Sequence, residues 1–187
     1  MIDRRSLLWR GAATFALSMA APLSAWAGRF AQAPKSETDS LSQALQESPY
    51  VYISPLKGDG RESTCHGEVW FAWLDGAVVV TVATDRWKSR AVDQGLHHAR
   101  VWVGDEGRWK GLLGKNEDFR KAPHFDARAE KRKDPELLER LLVEYKRKYP
   151  SEIGRWSDRM RKGQEDGSRV LIRYVPTSVV EVEAKKG

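Results

Sequence analysis

The residues best placed for chemistry are basic and hydroxyl side chains that follow a β-branched run. Residues 77–83 read AVVVTVA, and residues 84–90 read TDRWKSR. A buried strand gives cations at its end a rigid mount, and cations with nearby hydroxyls bind phosphate through charge-assisted hydrogen bonds. We therefore predict a phosphate site here, formed by Thr81, Thr84, Lys88, Ser89 and Arg90. The alternative interpretation is that these charges form an ordinary solvated connection.

Other reactive residue types are present but poorly spaced. His97 and His98 are adjacent, and adjacent residues of a strand point to opposite faces, so together they do not chelate one ion easily. Cys65 and His66 have the same problem, and no third ligand is spaced to complete a metal site. They also make a poor nucleophile pair, because catalytic Cys and His meet in space and seldom in sequence. We predict no metal site, and we assign no catalytic residue.

A tight hairpin is central to the elements that must position the basic segment. Residues 69–74 read VWFAWL, and Asp75-Gly76 separates them from the run at 77–83. Asp-Gly tolerates the positive φ angles of a primed turn, and β-branched residues favour strands. We predict one strand from about Glu62 to Leu74 and a second over 77–83. Large apolar residues occupy both faces of the first strand, which is typical of a barrel wall.

Further strands are predicted on either side of this hairpin. They cover residues 50–54, 99–103, 109–113 and 170 to about 182, and Pro55 suggests an edge or an end to the first of them. Residues 115–133 are polar and give no clear periodicity. We interpret the basic run at 128–133 as a solvated face, because acidic residues dilute it.

Two helices are predicted late in the chain. Asp134-Pro135-Glu136 has the N-cap, the first-turn proline and the acidic residue that open a helix, and Pro150 ends it. Its apolar stripe consists of Leu137, Leu138, Leu141, Leu142, Tyr145 and Tyr149. Ser151 can cap a second helix that finishes near Gly163, with Ile153, Trp156 and Met160 on its inner side. The order of several hairpin strands, two helices and a closing strand predicts a mainly β, α+β domain.

The first 27 residues have the pattern of an export signal. Asp3-Arg4-Arg5 opens a charged region, a mildly apolar stretch follows, and Ala25-Trp26-Ala27 suits a signal peptidase. Paired arginines before Ser-Leu-Leu resemble a twin-arginine signal, although Asp3 and Trp9 depart from its usual serine and lysine. We predict a signal peptide at 1–27, cleavage after about Ala27, a periplasmic location and the twin-arginine machinery as a partner. Residues 28–48 form a predicted flexible leader with a short amphipathic helix around 41–45, and 49–184 form the domain.

Composition narrows the function classes. Removing residues 1–27 leaves 29 basic and 25 acidic residues, a mild excess that does not argue for nucleic acid binding. The single cysteine excludes an internal disulfide, although an exported compartment permits one. The length after cleavage suits one domain of ordinary size.

The element order and its short motifs resemble a known family. The chain has a strand, a Gly-Asp-Gly turn at 58–60, a strand with the triplet Val-Trp-Phe, and an Asp-Gly hairpin. An apolar strand then leads through Thr into a Lys-containing turn, followed by ARVWV, the two helices and a final strand with RYVP. From about residue 49 to 182 this is similar to the pyridoxamine 5′-phosphate oxidase-like, or flavin-binding split β-barrel, superfamily.

This resemblance implies a six-stranded Greek-key split barrel with two late packing helices, forming a homodimer that holds FMN or a deazaflavin between its subunits. Trp70 falls where the family's strand passes under the flavin ring, and barrel packing is the alternative role for it. Trp87 stands where the family usually has Ser or Gly before the lysine. The residues matched to cofactor binding are Trp70, Thr81, Thr84, Lys88, Ser89 and Arg90.

The resemblance implies an exported flavin-binding protein, and we predict an oxidoreductase that acts on a small molecule. A flavin carries the redox chemistry itself, so the protein need supply only phosphate charge, an apolar slot and orientation. Twin-arginine export is consistent with this, since that route carries proteins that fold and load a cofactor beforehand. The alternatives are a non-catalytic barrel that holds a small ligand or haem, and an empty-barrel dimeric interaction module.

Overall fold

The computed structural model describes residues 37–107, 110–111 and 114–178, without the side chains of 37–39, 110–111 and 114–115. The predicted signal peptide and most of the predicted leader lie outside the described residues. Residues 179–184, at the end of the predicted domain, do so too.

The core of the fold is an antiparallel sheet of seven strands in the order β2-β1-β5-β8-β9-β4-β3. A separate two-stranded ribbon, β6 and β7, lies outside it. The strands are β1 Tyr50–Pro55, β2 Gly67–Trp70, β3 Ala72–Leu74, β4 Ala77–Ala83, β5 His98–Val103, β6 Lys110–Gly111, β7 Gly114–Lys115, β8 His124–Arg132 and β9 Arg169–Pro176.

The sheet curls into a nearly closed barrel because one predicted strand bends. The stretch predicted from Glu62 to Leu74 breaks at Phe71 into β2, which pairs with β1, and β3, which pairs with β4. These two halves stand at opposite edges of the sheet and are joined by one residue, so the edges must approach each other. Counted as one bent strand, they give the six strands of the predicted split barrel.

The central hairpin forms as predicted. Asp75 has φ 49° and Gly76 has φ 69°, the two positive angles of a primed turn that Asp-Gly tolerates. β4 is buried over all but its last residue. Val78, Val80 and Val82 face the interior of the barrel, while Val79 faces the helices outside it.

One strand prediction was wrong, and one strand of the sheet was not predicted. Of the stretch predicted as a strand at 109–113, the described residues Lys110–Gly111 pair with Gly114–Lys115 in the separate ribbon and not with the seven-stranded sheet. Instead β8, within the unassigned stretch 115–133, lies between β5 and β9 in the middle of the sheet. Its inward residues are Phe125, Ala127 and Ala129, and charged residues alternate with them. Alanine has a low strand propensity, which weakened the signal.

Two helices pack against opposite ends of the barrel. Helix α1, Glu37–Glu47, leads into the start of β1 and places its buried Leu45 in the barrel core. Helix α2, Trp87–Asp93, follows the end of β4 and contributes Val92 to the same core. The predicted amphipathic helix around 41–45 is therefore confirmed and is longer than expected. Pro55 ends β1, but β1 is an interior strand and not an edge.

The late helices form a layer on the outer face of the sheet. Helix α3, Pro135–Lys148, begins as predicted, with the Leu137 amide donating to the Asp134 carboxylate at 2.9 Å. A short 3₁₀ turn and helix α4, Ser157–Glu165, follow. The apolar stripe of α3 packs with Ile153, Met160 and the outward residues of the sheet, which confirms the predicted inner faces. Across the described ranges, no helix combines the length and apolar character that crossing a membrane requires.

Candidate functional site

The basic segment after β4 is a helix and not the open turn suggested by its composition. Trp87 to Asp93 forms α2, with Lys88 and Ser89 in its first turn. Ser89 is fully buried, whereas Arg90 is exposed. The three predicted phosphate ligands of this segment therefore point in different directions around one short helix.

Lys88 directs its ammonium group at the first residue of β2. The Nζ atom occupies the space that a side chain at Gly67 would fill, and it lies 4.5 Å from the centroid of the Trp87 ring. Burial lowers the pKa of Lys88 to about 8, because a cation loses its hydration there. Within the described residues no carboxylate pairs with this ammonium, and no oxygen accepts a hydrogen bond from it.

Ser89 adds a second polar group without a partner. Its Oγ atom is buried and makes no hydrogen bond within the described part of the chain. Buried hydroxyls nearly always have a partner, because leaving one unpaired costs about 1–3 kcal/mol. An uncompensated ammonium and an uncompensated hydroxyl thus occupy neighbouring positions of α2, at the end of the barrel that we call the Lys88 end.

Trp70 and Thr81 line a different cavity, on the outer face of the barrel. This aromatic slot has a volume of about 240 Å³. One face of the Trp70 ring stacks on Tyr149, with centroids 4.4 Å apart and planes 10° apart. The walls of the aromatic slot are Val69, Trp70, Thr81, Tyr145, Trp156, Met160 and Arg169.

Arg169 is the one cation in the wall of the aromatic slot. Its Nη2 donates to the Thr81 carbonyl at 3.1 Å, and its Nε lies 3.4 Å from the Thr81 hydroxyl. No carboxylate among the described residues pairs with the guanidinium. Burial lowers the pKa of Arg169, and the nearby Arg159 lowers it further.

A wider pocket of about 620 Å³ lies on the other side of Arg169 and includes Thr84. The Thr84 hydroxyl donates to backbone carbonyls of the turn before β9, 3.3 Å from Gly167 O and 3.2 Å from Ser168 O. The wider pocket is lined by charges of both signs. Three are basic, Arg159, Lys162 and Arg169, and three are acidic, Asp85, Asp158 and Asp166.

Within one chain the six predicted residues lie in three places: the aromatic slot, the wider pocket, and helix α2, which carries Lys88, Ser89 and Arg90. Trp70 and Thr81 share the aromatic slot, and Thr84 lies beyond Arg169 in the wider pocket. Lys88 contacts Gly67, which lies on the same face of β2 as Val69, and Val69 packs on the barrel core. Trp70 points to the opposite, outer face, so it lies away from Lys88. Sequence reasoning missed Arg169, which stands alone as a charge at the start of a predicted strand. It placed Trp156 and Met160 on an inner helix face without indicating a cavity.

His66 is buried and contacts the side chains of Ser54 and Arg120. Its Nδ1 lies 2.5 Å from the Ser54 hydroxyl, and the Arg120 guanidinium contacts Nε2 at 3.3 Å. Since a guanidinium can only donate, Nε2 must accept, and Nδ1 carries the proton towards Ser54. Ser54 is fully buried and so is not accessible to a substrate. Cys65, which precedes His66 in the sequence, is exposed. Over the described ranges, no three His, Cys, Asp or Glu side chains gather to hold a metal ion.

Comparison with solved structures identifies the fold. A conserved hypothetical protein from Mycobacterium tuberculosis superposes with a TM-score of 0.50 and 16% identity, covering 79% of this chain and 92% of that one. The chain has the split-barrel fold. The strand that bends at Phe71 and the nearly closed antiparallel sheet are the features of this chain that correspond to it.

Two further structures resemble the chain less well. One is HutZ, the haem storage protein from Vibrio cholerae, at a TM-score of 0.49 and 16% identity, covering 76% of this chain and 91% of that one. The other carries the name of a candidate pyridoxamine 5′-phosphate oxidase, from Listeria innocua. Its TM-score is 0.48 and its identity 15%, and the match covers 76% of this chain and 95% of that one. No protein-family model matches the chain, and a search of curated proteins found no significant match. At these identities the likeness concerns the fold alone.

Proposed function

We propose that this protein binds FMN or a deazaflavin, with the cofactor phosphate at Lys88, and acts as an oxidoreductase on a small molecule. The observation that carries the proposal is the Lys88 ammonium, which is withdrawn from water at Gly67 without a compensating anion. A buried cation without a partner is costly, and such groups cluster at functional sites.

A phosphate group fits the unpaired groups of α2. It would supply the negative charge that Lys88 lacks, and its oxygens accept hydrogen bonds from ammonium and hydroxyl donors. Ser89 Oγ is the nearest unpaired donor along the chain. Arg90, which is exposed, adds charge at the rim. Lys88 is therefore the principal proposed phosphate ligand, and Ser89 and Arg90, which point elsewhere around α2, are the further predicted contacts.

The protein's own contribution to catalysis is then binding and orientation. A bound flavin supplies the hydride chemistry itself. The barrel fixes the position of α2 relative to β2, because Ala91 and Val92, on the inner face of the helix, are buried. Trp70, Thr81 and Thr84 were matched to the cofactor by the same resemblance, but they lie apart from Lys88 within one chain and are not part of the proposed phosphate site.

Fluorescence titration with FMN and with a deazaflavin tests the proposal. Lys88→Met should weaken binding about 10- to 100-fold, because a charge-assisted hydrogen bond contributes roughly 1.5–3 kcal/mol and 1.4 kcal/mol is one decade. Arg90→Ala should weaken it by a similar or smaller factor. Lys146→Met, an exposed lysine of α3, is the matched control and should change nothing.

The outcomes separate this proposal from its alternatives. Unchanged affinity in the Lys88 and Arg90 variants, with tight binding to the wild type, would move the phosphate elsewhere. A well-folded wild type that binds neither flavin would contradict the proposal. A Soret band in protein purified from its native export route would instead favour haem binding.

We also propose that the protein is exported and works as a homodimer. Arg4-Arg5→Lys-Lys should leave precursor in the cytoplasm if the twin-arginine route is used, and normal processing would point to general secretion. The resemblance implies a cofactor between subunits, so light scattering should give a dimer at micromolar concentration. A strictly monomeric protein would remove that arrangement.

A further inference from the structure

The aromatic slot has the size of a site for a small ring. Its volume of about 240 Å³ is below the roughly 300–1,000 Å³ of pockets that enclose drug-sized ligands. A tricyclic flavin with its phosphate tail does not fit inside it, whereas a single aromatic ring does. The partly exposed rings of Trp70 and Trp156, with the buried Met160 beside them, give the slot an apolar lining for such a ring.

Arg169 supplies one end of the slot with unused hydrogen-bond donors. A guanidinium has five N–H donors in a fixed fork, and the two recorded bonds to Thr81 occupy Nε and one Nη2 donor. Three donors remain on the two terminal nitrogens. Planar, bidentate recognition of a carboxylate is the interaction for which this fork is best suited.

The backbone of α4 fixes the position of the Arg169 stem. A Cβ atom added to Gly163 would lie 2.5 Å from Arg169 Cγ and 2.6 Å from Cδ. The absence of a side chain there allows the aliphatic part of Arg169 to lie directly against the helix. The guanidinium is thereby held between the aromatic slot and the wider pocket.

The charge of Arg169 is not balanced from the neighbouring pocket. Asp158 pairs with Arg161 at 3.2 Å, and the Asp166 carboxylate accepts from the Ser168 amide at 2.9 Å. Asp85 lies 3.8 Å from Arg86. None of these three lies within ion-pair distance of Arg169, and another cation, Arg159, acts to lower the Arg169 pKa. A ligand anion would offset this charge.

We propose that the aromatic slot binds a small planar aromatic carboxylate, with the carboxylate on Arg169 and the ring against Trp70, Trp156 and Met160. The site is separate from the Lys88 end, and it does not depend on flavin binding. Its ligand class follows from three features together: a single-ring volume, an aromatic lining and one unpaired, oriented guanidinium.

Isothermal titration of the full chain with benzoate tests the site, with benzamide as the neutral isostere. Benzoate should bind at least about 10-fold more tightly than benzamide, because only the anion can pair with Arg169. Arg169→Met should remove this preference, lowering benzoate affinity about 10- to 100-fold. Lys88→Met should leave benzoate binding unchanged while it weakens flavin binding, so the two proposals fail independently.

Two further variants guard against misfolding and a wrong location. Gly163→Ala keeps every charge but must displace the Arg169 stem, so it should also lower benzoate affinity, with a circular dichroism melt confirming the fold. Lys162→Met removes an exposed cation that lines only the wider pocket and should have little effect. Equal binding of benzoate and benzamide would overturn the proposal. So would a loss confined to Lys162→Met, or unchanged affinity in folded Arg169→Met protein.

Discussion

The two ends of the barrel each hold a lysine withdrawn from water, and the two lysines differ in what surrounds them. At the α1 end, Lys148 Nζ lies 3.0 Å from Ser48 O, 3.4 Å from Leu45 O and 3.6 Å from the centroid of the Phe71 ring. At the Lys88 end, the ammonium has the Trp87 ring at 4.5 Å and no oxygen partner among the described residues.

This difference is consistent with a structural role for Lys148 and with the proposed anion-binding role for Lys88. Lys148 donates to carbonyls at the C-terminus of α1, where the helix leaves them without intrahelical partners and where positive charge is favourable. It therefore ties α3 to α1 and holds the α1 end in place. Lys88 is buried to a comparable extent and ties nothing together, so its position has an evident use only when an anion arrives.

The two ends should differ most in how much a buried side chain contributes to the free energy of unfolding. Leu45→Ala removes a fully buried side chain of α1 and should lower the free energy of unfolding by about 2–5 kcal/mol. Ser89→Ala removes an unpartnered hydroxyl of α2 and should change it by no more than about 0.5 kcal/mol, or raise it. Urea denaturation measures both, with the exposed Gln43→Ala as control. A large loss in Ser89→Ala would mean that its hydroxyl already has a partner.

Replacing each lysine with methionine should give effects of opposite sign. Lys148→Met should lower the free energy of unfolding by about 1–2 kcal/mol, because the carbonyls of α1 lose a donor. For a chain of this size that is roughly 2–8 °C in Tm. Lys88→Met should leave the stability unchanged or raise it, since the variant no longer buries an uncompensated cation. Calorimetric melts at pH 6, below the pKa of both lysines, provide the measurement, and equal losses at both positions would remove the proposed distinction.

The pH dependence of stability should be the smallest effect for each lysine over one pH unit, at about 1 kcal/mol or less between pH 7 and 8. Burial lowers the pKa of Lys148 to about 7 and that of Lys88 to about 8, from an ordinary value of 10.5. The unfolded chain therefore binds more protons than the folded chain above these values, so stability should rise with pH towards 10.5.

Lys148 should contribute to this rise from about pH 7, and Lys88 from about pH 8. Each group adds at most about 1.4 kcal/mol per pH unit, and about 1 kcal/mol or less between pH 7 and 8. Urea midpoints at pH 7, 8 and 9 measure the slope for the wild type and both Met variants. A bound phosphate should raise the Lys88 pKa back towards 10.5 and so remove the contribution of Lys88 to this slope. A slope that FMN leaves unchanged would contradict phosphate binding there.

Much of the fold was determined by local sequence signals. The Asp75-Gly76 turn required positive φ angles that this dipeptide tolerates. The valine-rich strand β4 is buried at every residue except its last, Ala83. The start of α3 followed from the capping side chain of Asp134 and the proline after it. These features succeed because the interactions that decide them lie within a few residues along the chain.

The bend at Phe71 and the central position of β8 were decided by tertiary structure. Nothing between residues 69 and 74 marks a break, and the bend exists because the strand must pair with β1 on one side and β4 on the other. In β8, alanines fill inward positions where neighbouring strands supply the bulk, so their burial depends on partners distant in sequence.

The candidate site shows the same division. Residue types and their order predicted cations and hydroxyls at the end of a buried strand, and Lys88 lies there against Gly67. The separation of Lys88 from Trp70 and Thr81 was invisible, because the face to which a side chain points depends on the curvature of the barrel and the angle of α2. Arg169 was missed for the same physical reason: its unpaired charge is defined by surroundings that α3, α4 and β4 create together.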